Sequence, residues 1–506
     1  GGLRARRRRR LDEPPPTLAA ARQLLESVVR LYRKEPLVAE KAAVHLRRLD
    51  EPLRVALVGS VKAGKSTLLN AMLGQHLAPT DARECTRIVT WYRHGATPTI
   101  FAHGVGGERT SLPVVRQEGR LELELGDLES ESLRRLEVTW PAEVLSELIL
   151  IDTPGTSSIS ADVSRRTRDF LAPPDDVSGV DAVVYMLRSL HSSDVDFLRQ
   201  LRDQNGRSES ALGSIAVLSR ADEVGGGRLD AMVSVNRAVR AMREDSALEG
   251  LVEAVIPVAG LLALAGATLR QSEFSAFVAL EKVPRARVRS LLMSADRFIT
   301  DEDEALPPIQ VRAKLVQRFG LYGIRLAIAV LRGGVRDAPT LSSELVRRSG
   351  VEALREIVDV NFRQRRDDLK AHSGVMAVQR MLTDHPNPGG RALLETAEDF
   401  LENSHAFREM RLLSRVRSGT YTLPSRDKDD LVRLIGGFGA AVHERLGLPE
   451  TATPAQCHEA ALAAMARWVE ISEDPLAPVG IASACRDVIR SCEGMVAELV
   501  QTSPSA

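Results

Sequence analysis

The stretch "GSVKAGKS", Gly59 to Ser66, limits what this chain can fold into more than any other, because it fits GxxxxGK[ST] directly after a run of apolar residues. Glycines at that spacing let several backbone amides converge on phosphate oxygens, and a helix beginning at the lysine adds partial positive charge. The motif therefore predicts a buried strand, a tight loop and a helix in that order. Gly59, Ser60, Val61, Lys62, Ala63, Gly64, Lys65, Ser66 and Thr67 are the expected nucleotide cradle. Lys65 is expected on the β- and γ-phosphates, and the Ser66 hydroxyl on Mg²⁺.

Around that motif, strand and helix patterns interleave from residue 51 to residue 272. Apolar strand candidates include "RVALV", "RIVTWY", "PTIFAH", "LEVTW", "ELILID", "VDAVVYML", "SIAVLS" and "EAVIPV". Interleaving of this kind predicts an α/β head, with a mainly parallel sheet covered by helices on both faces. From about residue 285 onward only helical periodicity remains. Before the head, Leu18, Ala21, Leu25, Val28 and Tyr32 recur at helical spacing. The expected organisation is a basic, proline-rich disordered tail over 1–17, neck helices over 18–50, the head over 51–272 and an elongated all-α bundle over 273–506.

Three later motifs choose among nucleotides. "IDTPG" ends a strand with Asp152, expected to hold Mg²⁺ through water, and with Gly155, whose amide would sense the γ-phosphate. Thr86, in "LAPTDARECTRIVT", offers a hydroxyl to complete the metal shell in a mobile switch. "VLSRAD" places Ser219, Arg220 and Asp222 at a strand end, and Asp222 can accept from the guanine N1–H and 2-amino group, donors that adenine lacks. The cofactors expected are accordingly GTP or GDP and Mg²⁺, with Lys65, Thr86 and Gly155 as the catalytic set.

Lys plus Arg and Asp plus Glu stand at 68 each, so no global field draws nucleic acid or acidic lipid. Aromatic residues are only 4% and no basic stripe runs through residues 300–506, which argues against a nucleic-acid partner and a translation-type GTPase. Four cysteines without metal-like spacing read as buried structural thiols in a reducing compartment. The run at 254–269 is broken by Pro257, Gly260 and Gly266, so it reads as a strand leading into a helix, not a membrane span. No secretory leader pattern is visible. Arg325, Arg332 and Arg336 lie near helical spacing and are expected on a solvated face. The loop 416–426, with Arg417, Tyr421, Leu423 and Arg426, carries the amphipathic mix expected at a lipid interface, and "LIGGFGAA" (434–441) is a second candidate.

Taken together, "GSVKAGKSTLLNAMLG", "IDTPGTSS", "LSRADE" and the helical "RFGLYGIRLAIAVL" resemble the bacterial dynamin-like GTPases. The resemblance spans roughly residues 20 to 500. It implies a GTPase head, a neck built from helices on both sides of it, a helical trunk whose tip meets anionic phospholipid, and a peripheral place on the inner face of the cell membrane. It also implies head-to-head self-association, or a partner dynamin-like protein of the same operon. Ala259 in "PVAG" falls at the family's fifth guanine motif. Val61 and Lys62 stand where eukaryotic dynamins carry Gln and Ser. Valine cannot orient water by hydrogen bonding, so the reading is a slow GTPase, with a nucleotide-gated scaffold as the alternative.

Overall fold

A computed structural model of the chain describes residues 16–60, 62–79, 88–117, 120–155, 170–171, 179–204, 213–244, 248, 251–417, 421, 423–474 and 480–502. Val61, Thr86 and Cys85 lie outside the described residues, as does most of the 1–17 tail.

Two helices, α1 (Pro16–Leu31) and α2 (Pro36–Arg48), precede strand β1 (Leu53–Gly59) and helix α3 (Lys65–Leu73). Then come β2 (Thr90–His94), β3 (Thr99–Gly104), β4 (Arg109–Leu112), β5 (Val115–Gln117), β6 (Arg120–Glu122), β7 (Leu133–Trp140), β8 (Leu148–Asp152) and β9 (Ala182–Leu187). The head closes with α4 (Ser192–Gln204), β10 (Ser214–Ser219), α5 (Ala231–Glu244), β11 (Val255–Val258) and α6 (Gly260–Ala267). Nine strands form one sheet in the order β11-β10-β9-β1-β8-β2-β7-β3-β4. Its half from β11 to β8 is parallel, and β2 pairs antiparallel to β8. β1 lies between β8 and β9 and its residues from Val55 to Gly59 are buried, which is why they read as one apolar run. Gly59 must be glycine: a Cβ there would sit 2.5 Å from the Met186 carbonyl oxygen of β9.

The remaining helices are α7 (Gln271–Lys282), α8 (Arg285–Leu291), α9 (Ala295–Thr300), α10 (Ile309–Arg332), α11 (Ala338–Arg348), α12 (Val351–Val358), α13 (Arg366–Asp384), α14 (Arg391–Asn403), α15 (His405–Arg417), α16 (Ser425–Leu434), α17 (Val442–Arg445), α18 (Pro454–Glu473) and α19 (Ile481–Thr502). They do not share one core. α1, α2, α13 and α14 pack together as the neck, with Leu18, Ala21, Leu25, Val28 and Tyr32 buried as the periodicity predicts, and their core is continuous with the underside of the sheet. α6 to α11 form a separate lobe against the head, around Phe277, Phe298, Phe319 and Ile324. α15, α16, α18 and α19 enclose a third core around Trp468. Cys457, Cys485 and Cys492 are buried there as free thiols.

Of the arginines expected on a solvated face, Arg336 is exposed, while Arg325 and Arg332 are half-buried, and all three donate to carbonyls. Arg325 donates to the Gly227 and Leu292 carbonyls, Arg332 to those of Glu281 and Val283, and Arg336 to Leu331. A planar guanidinium with five donors satisfies orphan carbonyls at helix ends, which helical spacing does not reveal. Among the described residues, no helix is long and apolar enough to cross a membrane.

Candidate functional site

The site begins where β1 ends. Gly64 takes φ +93° and Lys62 φ +62°, so the loop turns through left-handed conformations before α3 starts at Lys65. Lys65 is only 9% exposed. Its Nζ donates to the Gly59 carbonyl at 2.9 Å and the Ser60 carbonyl at 3.0 Å, so the cation is folded onto its own loop. Burial lowers its pKa, with the Asp152 charge opposing.

Asp152 sits at the end of β8, beside β1. One carboxylate oxygen, Oδ2, accepts from the Ser66 hydroxyl at 2.7 Å. The other, Oδ1, is buried with no hydrogen-bond partner. Burial raises the Asp152 pKa against the opposing effects of Ser66 and Lys65. A carboxylate held this way has an unspent acceptor next to a hydroxyl, which fits a hydrated divalent cation. No group of three His, Cys, Asp or Glu side chains placed to hold a metal ion occurs among the described residues, so an ion here would draw its other ligands from hydroxyls, phosphate and water. Thr153 anchors the strand end by donating from Oγ1 to the Leu57 carbonyl at 2.8 Å, and Gly155 follows at the rim.

The turn expected to read guanine follows β10. Ser219 donates from its hydroxyl to the Leu187 carbonyl of β9 at 2.9 Å, so it braces the sheet. Arg220 adopts φ +52°. Its guanidinium donates to Glu223 at 2.8 Å and across to the Lys62 carbonyl at 3.2 Å, joining this turn to the phosphate loop. Asp222 is 9% exposed, and burial raises its pKa. Ala259 lies beyond β11, but its amide donates to the Ser349 carbonyl at 2.8 Å and its methyl is buried in the α6–α11 lobe. It is therefore placed as a structural tie. Thr67 and Ala63 stay with the cradle, Thr67 facing the start of α6.

Two contributions were invisible from the sequence. Arg355 of α12 donates to the Ala71 and Met72 carbonyls and so caps the far end of the phosphate-loop helix α3. Gly320 and Tyr322 of α10 approach Asp222. The signal was the glycine pair in "RFGLYG", which interrupts an otherwise continuous helical pattern.

Of the 416–426 loop expected to face lipid, residues 418–420 and 422 lie outside the described residues, and the described ones mostly contact the protein itself. Arg417 donates to Asn361 Oδ1 at 3.0 Å and to the Gly437 carbonyl at 2.8 Å, and Asn361 in turn donates to buried Glu253 of the head at 3.0 Å. Tyr421 and Leu423 are half-buried against the C-terminal core, which leaves Arg426 exposed. Among the described residues of this loop, Arg417 is a polar anchor toward the head, and Tyr421 and Leu423 pack on the C-terminal core.

A mainly parallel α/β head with this phosphate loop and this aspartate pair, flanked by neck helices from both ends, defines a dynamin-type GTPase. The model of the Dynamin family matches residues 55–221. Over 483 residues the chain is 43% identical to isoniazid-induced protein IniC of Mycobacterium tuberculosis, covering 94% of this chain and 98% of that one. The chain belongs to the bacterial dynamin-like family. It is also 28% identical to isoniazid-induced protein IniA of the same organism over 141 residues, 26% of this chain and 22% of that one. With dynamin-like protein A of Bacillus subtilis it shares 26% identity over 192 residues, 36% and 15% of the respective chains.

Proposed function

We propose that the chain binds GTP with Mg²⁺, hydrolyses it slowly, and uses the cycle to bind and remodel an anionic phospholipid membrane from its cytoplasmic face, in fission, maintenance or repair. The observation that carries this reading is the buried, half-satisfied Asp152 beside Ser66 and the inward-folded Lys65. The unpaired Asp152 Oδ1 is an acceptor that a hydrated metal ion on a phosphate would use, and Lys65 can exchange its loop carbonyls for phosphate oxygens. Asp222 at the other end of the cradle supplies the preference for guanine.

On this reading Lys65 exchanges two loop carbonyls for β- and γ-phosphate oxygens. Ser66 and, through water, Asp152 hold the metal, with Thr86 completing its shell. Bound Mg²⁺ supplies charge neutralisation across the transferring phosphoryl group. The Gly155 amide senses the γ-phosphate. Arg220 lays its guanidinium along the base, held in place by the Lys62 carbonyl. Val61 offers no atom to align water, so turnover waits on a second head, either another copy or a partner dynamin-like protein of which the partly similar IniA is the example. Phe438, 58% exposed in the 434–441 loop, is the lipid contact to test in place of Tyr421 and Leu423.

The test is GTP turnover by the purified chain beside Lys65→Ala, over a dilution series and with anionic liposomes. Turnover should be slow when dilute, should rise with protein concentration or liposomes, and should vanish in the variant. Fast turnover at high dilution, indifferent to both additions, would refute the reading. Wild-type turnover equal to that of Lys65→Ala, with GTP still bound, would instead establish the nucleotide-gated scaffold that Val61 favours.

A further inference from the structure

Helix α10 is interrupted at Gly320, which takes φ +61° and ψ 175° inside an otherwise helical run. A backbone at those angles is open to glycine and strained for any other residue. The break is held from both sides. Phe319 stacks edge-to-face on Phe277 with ring centroids 5.0 Å apart, and Arg318 is fixed to Glu273 at 2.7 Å and to the Thr268 carbonyl at 2.9 Å. On the other side, Arg325 clamps the Gly227 carbonyl at the end of the guanine-reading turn.

This clamp brings the break to Asp222. A Cβ built on Gly320 would meet Asp222 Oδ2 at 3.9 Å, with no other atom within 4 Å among the described residues outside its chain neighbours and the adjacent backbone of its own helix. Gly227 lies against the Tyr322 amide, where a built Cβ would stand 3.6 Å away. Tyr322 is buried, and desolvation together with the Asp222 charge raises its pKa. The bare Cα of Gly320 thus faces open room whose one near wall is the carboxylate.

We propose that Gly320 and the turn to Tyr322 form the outer wall of the guanine pocket, so that residue 320 sets base selectivity together with Asp222. This rests on the guanine-nucleotide reading above and extends it from the head to the α6–α11 lobe. The base edge that donates to Asp222 passes under the break in α10, and a side chain at 320 narrows that passage. The triphosphate end of the ligand does not reach it. Guanine nucleotides should therefore feel residue 320, and a phosphate chain without a base should not.

Hydrogen exchange on the full-length chain tests this, with Mg²⁺ and either GDP, inorganic tripolyphosphate or no ligand. GDP should slow exchange at both 59–67 and 318–326, and tripolyphosphate at 59–67 alone. Protection of 59–67 by GDP without any change at 318–326 would overturn the wall while leaving the guanine reading intact. Protection of neither segment would overturn both. Gly320→Ala should raise the GDP dissociation constant at least ~10-fold and leave that of tripolyphosphate within about twofold. Unchanged GDP affinity in a variant with native circular dichroism would sink the proposal. If the variant does not fold, the wild-type exchange pattern decides.

Discussion

Two of the aspartates buried near a lysine among the described residues, Asp181 and Asp152, have opposite fates. At the junction of head and neck, Asp181 lies just before β9 and meets Lys370 of α13 at 2.8 Å and Arg48 of α2 at 3.2 Å. It also accepts from the Arg54 amide at 2.9 Å. Burial alone would raise its pKa, but the two cations and these bonds pull it down to about 2. In the nucleotide cradle, Asp152 has Lys65 nearby, yet that lysine is spent on carbonyls and one carboxylate oxygen is left bare. There desolvation wins and the pKa rises. A buried charge that the protein satisfies by itself is mortar, whereas one left short is a request for a ligand.

Removing one partner of the junction should give the largest effect. Lys370→Met leaves Asp181 with Arg48 alone, and should cost about 3–5 kcal/mol in urea unfolding. The double variant with Asp181→Leu should recover most of the loss, because an apolar pair carries no desolvation penalty. A cost of the single variant below about 1 kcal/mol would show that the junction is not a lock. Lys65→Met is the mirror experiment: GTP turnover should fall by roughly 10²–10³-fold while the unfolding midpoint hardly moves, since this lysine's bonds are to its own loop.

Acid should separate the two regions as well. His372 packs edge-to-face on Phe407, and desolvation with the nearby Arg411 charge holds its pKa at about 4. His76 is also held at about 4, by desolvation and then Arg120, Arg318 and Arg270. Both are neutral in the fold and gain a proton more readily when unfolded. Their stability contribution is full above pH 6.5 and is lost as pH falls toward 4, at up to about 1.4 kcal/mol per group per pH unit. Thermal scans from pH 7 to pH 4 should show a falling midpoint, less steep in His372→Phe. The Asp181 lock persists through this window and fails only near pH 2. The smallest effect belongs to Asp152→Asn. A carboxylate with a raised pKa costs stability once it ionises, so the amide should stabilise the free protein at pH 7 by up to about 1 kcal/mol. The same change should remove the Mg²⁺-dependent tightening of nucleotide binding, and destabilisation instead would show that Asp152 is structural.

The strand–loop–helix turn from Gly59 to Ser66 was legible in the sequence because its geometry is local, on consecutive residues, and Asp152 ends, and Asp222 follows, a recognisable apolar strand. The α/β head and the neck periodicity of Leu18 to Tyr32 were legible for the same reason. Strands β4 to β6 escaped notice because they are three or four residues long and mostly polar, too short for alternation to register. Arg325, Arg332 and Arg417 were read as surface because their partners lie 20 to 98 residues away along the chain, and spacing carries no information about them. The approach of Gly320 to Asp222 is a property of how the α6–α11 lobe docks, so the glycine pair in "RFGLYG" marks an irregularity in the helix without naming its partner.

The neck is entered twice. The chain leaves α2 to begin the head at β1, and returns through α12 and the turn at Asp359–Arg363 into α13, which packs on α1 and α2. A head tethered through one strand could spin like a weathervane; this one is bolted through two, with the Asp181–Lys370–Arg48 cluster welded between them. If the head changes shape on binding nucleotide, the two connections would carry that change into the neck helices as a turning force.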